Sequence, residues 1–411
     1  MWPFSHHDAE QIRSSEPYWL LRNGIGDATP SLSSSIECEI AVVGAGITGA
    51  LVADELTRGG HEVVVLDKLD CALGSTSAST ALLQYEIDTH LVDLIPRLGW
   101  DQAALAYRAG VSSIEMLESL TRELGVEVNF ERRSSVYLAA ADSDVPVLRE
   151  ELAARQKAGI DVRWTDSVEL QERFKCHRPG ALLSAVGAQV DPFRLTRGLL
   201  DRCQKRGARL FARTAVEALD DSAIGVLLRT ATGHEIRAQH VVICAGYESL
   251  RFLPSKVADL FSTFAVVTEP ITLTGEQRPL MWESARPYLY IRDTPDGRLL
   301  IGGQDIPFNN SSIRQALLDT QARKLIRQYE ELFKTTAPRL AYAWAGTFGA
   351  TADGLPHIGR APNMNDRVLF ALCFGGNGIT YSAHAGTILR ASIEGVAHPL
   401  QAVFGFNRLT G

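Results

Sequence analysis

The chain has 411 residues, of which 45% are hydrophobic and 22% charged, and its formal net charge is −7 at pH 7. This length exceeds an ordinary single core and predicts two domains, while the composition is that of a soluble globular protein. The acidic balance gives no general attraction for nucleic acid or an anionic membrane, which disfavours both as main partners.

The six cysteines are scattered, with no Cys-x-x-Cys pair and no cluster at metal-ligand spacing. We therefore expect buried thiols, a reducing compartment and no metal site. The N-terminus shows no basic segment followed by an apolar one, and no run of about 18 uncharged apolar residues is present. A cytoplasmic protein without a membrane span is the expectation.

Residues 1–36 are polar and irregular, and they predict an arm that precedes the first strand. The apolar run 18–21 is the predicted anchor of this arm onto the body of the protein. A serine-rich stretch, 31–35, marks its end.

The most informative segment is 38–67, which predicts a strand, a turn, a helix and a second strand. An apolar run at 40–43 leads into a turn that carries three glycines. An amphipathic helix follows from residue 48 to about residue 58. This order is typical of a dinucleotide site, although a glycine-rich turn between buried elements is the alternative.

Each glycine of the turn has an expected role. Gly44 allows the tight turn, Gly46 lets a pyrophosphate lie against bare backbone, and Gly49 lets the helix pack closely on the strand. The second strand ends at Asp67, which lies 67 − 44 = 23 residues after Gly44. That spacing is close to the roughly 20 residues expected for a ribose-binding carboxylate.

The remaining elements alternate between helical and strand-like patterns. Helical spacing of apolar residues is found at 91–124, 145–158, 193–205, 312–334 and 379–393. Strands are predicted at 136–139, 209–212, 225–230, 241–244, 288–292 and 299–302, the last two forming a hairpin at Asp296 and Gly297.

These elements predict an α/β fold with two parts. A Rossmann-like domain is expected from the discontinuous segments 37–124, 183–250 and 338–400. An α+β substrate domain with a mainly antiparallel sheet is expected from 125–182 and 251–337.

Three further segments narrow the ligand from NAD to FAD. The hydroxyl-rich stretch 74–83 offers donors and close backbone approach, the strand 241–244 ends in the small residues Ala245 and Gly246, and glycines are dense at 344–359 and 374–380. A solvated loop and an ordinary core strand are the alternatives for the first two.

In this order the motifs resemble the D-amino-acid-oxidase-like superfamily of FAD-dependent oxidoreductases. The resemblance covers residues 36–396 and is most specific in the first glycine turn, at 190–192, in the strand ending at Gly246 and at 353–356. The N-terminal arm is most similar to the γ-glutamylputrescine oxidase branch.

The resemblance implies a set of FAD contacts. Val216 would present its backbone to the adenine, although a buried strand valine is the alternative. The implied contacts are Gly44, Gly46, Ile47, Thr48, Gly49, Asp67, Lys68, Ser75, Thr76, Ser79, Thr80, Leu82, Val216, Ala245, Gly246, Gly346, Gly376, Asn377, Gly378, Ile379 and Thr380.

The chain departs from the superfamily pattern at two positions. Amino-acid-specific members hold the substrate carboxylate with an arginine where this chain has Phe348, and a second basic residue is replaced by Gly376. Phe348 would present an apolar wall to an amine, or simply pack under the flavin. Members that tether flavin covalently do so near positions held here by Ala78 and Gly346, so the resemblance implies non-covalent FAD.

Alternating residues on one predicted strand supply the other substrate candidates. Tyr288, Tyr290 and Arg292 project from the same face, which in the superfamily covers the flavin. A polar edge strand facing water is the alternative. His357 and His384 are interpreted as structural residues.

The expected activity is FAD-dependent oxidation of a C–N bond in a small amine or amino acid derivative, with hydride transfer to flavin N5 and hydrolysis of the imine. The electron acceptor, whether oxygen or another molecule, is left open. The alternatives are a nicotinamide dehydrogenase, a flavin-dependent RNA-modification enzyme and a flavin-binding subunit without activity.

Overall fold

A computed structural model describes residues 12–222, 225–272 and 278–408 of the chain. Two large sheets and one small sheet form its framework. The strands are β1 (Arg13–Ser14), β2 (Ile36–Val43), β3 (Val63–Leu66), β4 (Leu82–Leu83), β5 (Glu131–Arg132), β6 (Ser135–Leu138), β7 (Val162–Asp166), β8 (Gly180–Ser184), β9 (Ala188–Gln189), β10 (Arg209–Phe211), β11 (Val216–Ser222), β12 (Gly225–Thr230), β13 (Glu235–Ile243), β14 (Asp259–Thr268), β15 (Leu280–Glu283), β16 (Leu289–Asp293), β17 (Leu299–Ile306), β18 (Leu340–Ala350), β19 (His357–Arg360) and β20 (Val368–Leu372).

Helices cover the sheets. They are α1 (Tyr18–Asn23), α2 (Ile47–Arg58), α3 (Ser75–Ala78), α4 (Leu91–Leu98), α5 (Trp100–Leu124), α6 (Val145–Lys157), α7 (Ser167–Phe174), α8 (Pro192–Lys205), α9 (Ser311–Phe333), α10 (Gly378–Ile393) and α11 (Gln401–Phe404), with 3₁₀ turns at Asp142–Asp144 and Gly246–Phe252.

The first large sheet is Rossmann-like. Its strands follow the order β10-β3-β2-β13-β12-β11, and β20 also pairs with β13. The pairs β10–β3, β3–β2, β2–β13 and β13–β20 are parallel. All four residues of β3 are buried, as expected for a parallel strand covered on both faces.

The second large sheet has nine strands in the order β1-β18-β14-β17-β16-β15-β6-β8-β7. Every neighbouring pair is antiparallel except β15–β6. The predicted hairpin at Asp296 and Gly297 joins β16 to β17. A Rossmann-like domain combined with a mainly antiparallel α+β part is therefore confirmed as the fold.

The helical pattern predicted across 91–124 is interrupted. Gly99 has a φ of +77° and separates α4 from α5. This left-handed conformation is readily available to glycine and ends the first helix. The helix that the apolar spacing predicts across 91–124 is therefore wrong at this residue.

The N-terminal arm is more ordered than predicted. Residues 1–11 lie outside the described residues, but β1 pairs with β18 and α1 follows at Tyr18–Asn23. Tyr18 and Trp19 are buried, whereas Leu21 is exposed. The predicted anchor is therefore confirmed through the first residues of the run.

The domain boundaries remain a prediction. The chain segment 338–400 was assigned to the FAD domain, whereas β18 pairs within the nine-stranded sheet. We propose that the boundary lies after Ala350.

All six cysteines are free, and all but the half-buried Cys373 are buried. In the described ranges, no helix combines the length and apolar character that crossing a bilayer requires.

Candidate functional site

The turn between β2 and α2 places its three glycines in different surroundings. Gly44 has a φ of +116°, and a Cβ on it would lie 2.3 Å from the carbonyl oxygen of Cys244. A Cβ on Gly49 would lie 1.8 Å from the carbonyl oxygen of Gly44, so α2 packs on the turn at backbone distance. Gly46 lines a cavity, and among the described residues only Thr76 Oγ1, at 3.0 Å, lies near its missing side chain.

Asp67 follows β3 beside this turn. Its carboxylate accepts the N–H groups of Ala45, at 2.7 Å, and Leu69, at 2.8 Å. Burial raises the pKa of Asp67 to about 6, although these two hydrogen bonds oppose the shift. The neighbouring Lys68 pairs with Glu248 at 2.7 Å. This corner therefore presents both a carboxylate and an ammonium group to a ligand.

Two tryptophans hold the hydroxyl-rich segment through their indole N–H groups. The Trp19 indole donates to the carbonyl oxygen of Ser79 at 2.7 Å. The Trp344 indole donates to the carbonyl oxygen of Ala78 at 2.9 Å. The hydroxyl residues held in this way all line the cavity: Ser75, Thr76, Ser79 and Thr80.

Arg292 supports the same segment and does not line the cavity. It is 1% exposed, and its Nη1 donates to the carbonyl oxygens of Thr80, Ala81 and Val190 at 3.1, 2.8 and 3.1 Å. It shares a strand face with Tyr290, as predicted, but its Nε and Nη1 donate to backbone carbonyl oxygens. We therefore replace its expected substrate contact with a positioning role.

The N-terminus of α10 faces the cavity from the opposite direction. The side chain of the N-cap residue Asn377 does not cap this helix, and its amide donates instead to the carbonyl oxygen of Gln84 at 2.8 Å. The N–H group of Gly376 donates to Asp88 at 3.1 Å. Gly378 and Ile379 line the cavity, so the positive end of this 16-residue helix is directed at it.

One cavity joins all of these elements. The predicted cofactor residues that line it are Gly44, Gly46, Ile47, Thr48, Asp67, Lys68, Ser75, Thr76, Ser79, Thr80, Leu82, Val216, Ala245, Gly246, Gly346, Gly376, Asn377, Gly378 and Ile379. Gly49 and Thr380 are outside its lining. Gly49 packs against the turn, and the Thr380 hydroxyl donates to the carbonyl oxygen of Asn377 at 2.8 Å.

Comparison with known proteins assigns a family. Residues 39–391 match the family model DAO, described as FAD dependent oxidoreductase. The chain belongs to this family. The resemblance inferred from its motifs is confirmed, and the protein is an FAD-dependent oxidoreductase.

Individual relatives of this DAO-family chain have low sequence identity to it but align over most of its length. A protein of Bacillus subtilis (strain 168) described as a Rieske 2Fe-2S iron-sulfur protein is 23% identical over 396 residues, 95% of this chain and 75% of that protein. Gamma-glutamylputrescine oxidoreductase of Escherichia coli (strain K12) is 23% identical over 393 residues, 90% of this chain and 87% of the relative. The crystal structure of glycine oxidase from Geobacillus kaustophilus has a TM-score of 0.74 at 21% identity and covers 90% of this chain and 99% of its own. This likeness shows that the fold is shared.

The cavity of this DAO-family enzyme fits FAD. Gly46 leaves the backbone of the turn open, and the uncapped end of α10 supplies N–H groups at a separate position of the same cavity. Lys68 and Arg251 line the cavity, and Arg251 donates to the carbonyl oxygen of Val216. A dinucleotide with negative phosphates and an electron-accepting ring requires groups of these kinds.

An aromatic wall closes one side of the cavity. We use this term for Trp282 on β15, Tyr288 just before β16 and Tyr290 on β16, all of which line the cavity. The ring centroids of Trp282 and Tyr288 are 6.2 Å apart, and those of Tyr288 and Tyr290 are 5.8 Å apart. Burial raises the pKa of both tyrosines, so they remain neutral phenols. The half-buried Phe348 also lines the cavity.

Sequence reasoning missed an acidic segment that faces this wall. Gln84, Glu86 and Asp88 line the cavity, whereas the intervening Tyr85 and Ile87 are packed in the core. This alternation at 84–88 has the period of an extended chain with one apolar side. It was readable from the sequence, but it follows the predicted hydroxyl-rich motif and carries no glycine fingerprint.

The two histidines near the C-terminal motifs are structural, as expected. His357 is hydrogen-bonded to Arg408 at 3.1 Å, and burial next to that cation lowers the pKa of His357 to about 3. His384 contacts the carbonyl oxygen of Ala109 through Nε2 at 2.9 Å. Neither histidine lines the cavity.

Proposed function

We propose that this protein oxidises the C–N bond of a small amine or amino acid derivative. The observation that carries the proposal is a single cavity that joins the glycine turn at Gly46, the N-terminus of α10 and the aromatic wall. The printed names of two relatives, gamma-glutamylputrescine oxidoreductase and glycine oxidase, support the substrate class.

The chain contributes binding and orientation. When bound, FAD supplies the redox chemistry by accepting a hydride at N5 from the carbon next to the substrate nitrogen, after which the imine product hydrolyses in water. The aromatic wall and Phe348 would exclude solvent and hold the substrate against the reactive face of the cofactor. Gly46 and the hydroxyls of 75–80 would bind the pyrophosphate and the chain that follows it.

The end of α10 would stabilise the reduced cofactor. Negative charge develops on the pyrimidine side of the flavin ring during reduction. The N–H groups of Gly378 and Ile379, at the positive end of the helix, would face that charge. Because Ala78 and Gly346 stand near the tethering positions of covalent relatives, the proposal includes dissociable FAD.

Anaerobic spectroscopy tests this function directly. The purified protein is expected to show an oxidised-flavin spectrum that is bleached by members of a panel of amines, amino acids and N-alkyl glycines. Readmitted air then distinguishes an oxidase, which recovers its colour at once, from an enzyme that needs another acceptor. A bound flavin that no compound bleaches would contradict the proposed activity and favour a flavin-binding subunit.

A further inference from the structure

Acidic side chains outnumber basic ones in the lining of the cavity. Among the described residues, the lining contains two basic side chains, Lys68 and Arg251, and four acidic ones, Asp67, Glu86, Asp88 and Glu248. Lys68 is already paired with Glu248 at 2.7 Å. The lining therefore carries an excess of negative charge, to which Glu86 and Asp88 contribute.

Glu86 is a buried carboxylate with an unused acceptor. The residue is 3% exposed, and its Oε2 has no hydrogen-bond partner among the described residues. A buried acceptor without a partner carries a desolvation penalty of about 1–3 kcal/mol, and more for a charged group. A ligand that donates hydrogen bonds would remove this penalty.

The nearest compensating cation is already shared. Arg155 is fully buried, and its Nε donates to Glu151 at 2.7 Å. Its positive charge acts on Glu86 as well, but burial dominates and raises the pKa of Glu86. One guanidinium thus faces two buried carboxylates, which leaves one negative charge to be balanced by a proton or a cationic ligand.

The aromatic wall favours the same kind of ligand. The faces of tryptophan and tyrosine rings attract ammonium groups, with energies of about 0.5–2 kcal/mol that increase when the site is desolvated. Trp282 adds an independent polar signal, because its indole Nε1 is buried without a hydrogen-bond partner in the part of the chain that is described. It would donate to an electron-rich atom of a bound molecule.

One arginine outside the cavity could instead serve a carboxylate. Arg286 is exposed, its guanidinium carbon lies 4.9 Å from the centroid of Tyr288, and it donates to the carbonyl oxygen of Asp88 at 3.2 Å. It does not belong to the cavity lining. This position lets an experiment separate an anionic ligand at Arg286 from a cationic ligand at Glu86.

We propose that the part of the cavity between Glu86, Asp88 and the aromatic wall binds the ammonium group of the substrate, and that one of these two carboxylates accepts the proton that the ammonium must lose before hydride leaves the neighbouring carbon. The substrate class is accordingly an alkylamine without a carboxylate next to the reacting carbon. This inference rests on the proposed amine oxidation and specifies which of its substrates the enzyme takes. It also accounts for Phe348 at the position where amino-acid-specific relatives carry an arginine.

Two ligands of matched shape test the charge of the site. tert-Butylammonium and pivalate differ in charge but share a branched carbon skeleton, and neither has a C–H bond on the carbon next to its charged group. Their dissociation constants would be measured with the FAD-loaded protein from changes in the flavin absorbance spectrum. We expect tert-butylammonium to bind at least tenfold more tightly than pivalate.

Variants connect that preference to named residues. Glu86→Gln and Asp88→Asn should each weaken tert-butylammonium binding at least tenfold, whereas Arg286→Gln should not weaken it. Asp101→Asn is the matched control, because it removes an exposed carboxylate outside the cavity lining. FAD content and thermal unfolding would be measured for every variant, and the two acidic positions provide independent tests if one variant fails to fold.

The outcomes are decisive for the charge of the substrate. Tighter binding of pivalate, equal binding of the two probes, no binding of either, or unchanged affinity in both acidic variants would each overturn the inference. Loss of pivalate binding in Arg286→Gln would identify a carboxylate site in its place. Flavin bleaching by the wider amine panel is measured separately, so failure of the proposed amine oxidation remains distinguishable.

Discussion

A methyl group at Gly46 should separate cofactor binding from folding. Gly46 has a φ of −81° and caps α2, so alanine can adopt its backbone conformation. Within the part of the chain that the structure describes, the added Cβ would meet only Thr76 Oγ1, at 3.0 Å. Alanine is a poorer helix cap than glycine by about 1 kcal/mol, so the free energy of unfolding of the FAD-free protein should fall by about that amount.

The expected effect on FAD is much larger. A methyl group on this surface would displace the pyrophosphate from the turn and remove about two hydrogen bonds to charged oxygens. Such bonds contribute about 1.5–3 kcal/mol each, so the dissociation constant should rise about 100-fold or more. Isothermal calorimetry of FAD titrated into the FAD-free protein measures this change in the dissociation constant. Thermal unfolding monitored by circular dichroism measures the stability of each variant.

Gly49→Ala is the matched comparison and should give the opposite pattern. Its Cβ would lie 1.8 Å from the carbonyl oxygen of Gly44, so α2 must move away from the turn. We expect the FAD-free protein itself to lose about 3 kcal/mol of stability or more. This account of the turn would be refuted if Gly46→Ala bound FAD as tightly as the unmodified protein. It would also be refuted if the two variants lost the same free energy of unfolding.

Three further outcomes follow from buried groups and from the implied flavin attachment. Arg292→Met should lower the free energy of unfolding by at least about 3 kcal/mol in urea titrations, because four carbonyl oxygens lose their donor. Arg292→Lys should recover part of this loss, and an unchanged midpoint would contradict the positioning role. His357 stays neutral in the folded state, since its pKa is about 3. The stability that neutral His357 contributes is present above its unfolded-state pKa of about 6.5 and decreases as the pH falls, by about 2 kcal/mol at pH 5. His357→Gln should flatten that part of the plot of unfolding free energy against pH, and an identical slope would show that His357 is not its cause. Acid precipitation should release all flavin into the supernatant, whereas colour retained in the pellet would mean a covalent bond.

Local sequence patterns were sufficient for the Rossmann-like part of the fold. The glycine turn, the apolar strands on either side and Asp67 form one continuous segment of chain, so their spacing alone determines their arrangement. The hairpin at Asp296 and Gly297 was predictable for the same reason. The helix prediction was wrong at Gly99, because a single residue with positive φ changes the direction of the chain without altering the apolar spacing around it.

Contacts between distant segments were beyond sequence reasoning. Arg292 was predicted on the correct strand face, but three of its four acceptors come from residues 80, 81 and 190, which nothing in its own segment indicates. The acidic segment 84–88 becomes significant only in the folded protein, where it lines the same cavity as the aromatic wall. Pairing of β18 with β14 likewise depends on tertiary structure and moved the proposed domain boundary.

A crystal structure of the FAD-loaded protein tests the central claim most directly. We predict that the adenine lies beside Val216, the pyrophosphate lies against Gly46, and the flavin ring lies between the N-terminus of α10 and the aromatic wall. Density for FAD elsewhere, or a flavin ring remote from Ile379 and Tyr290, would contradict the account.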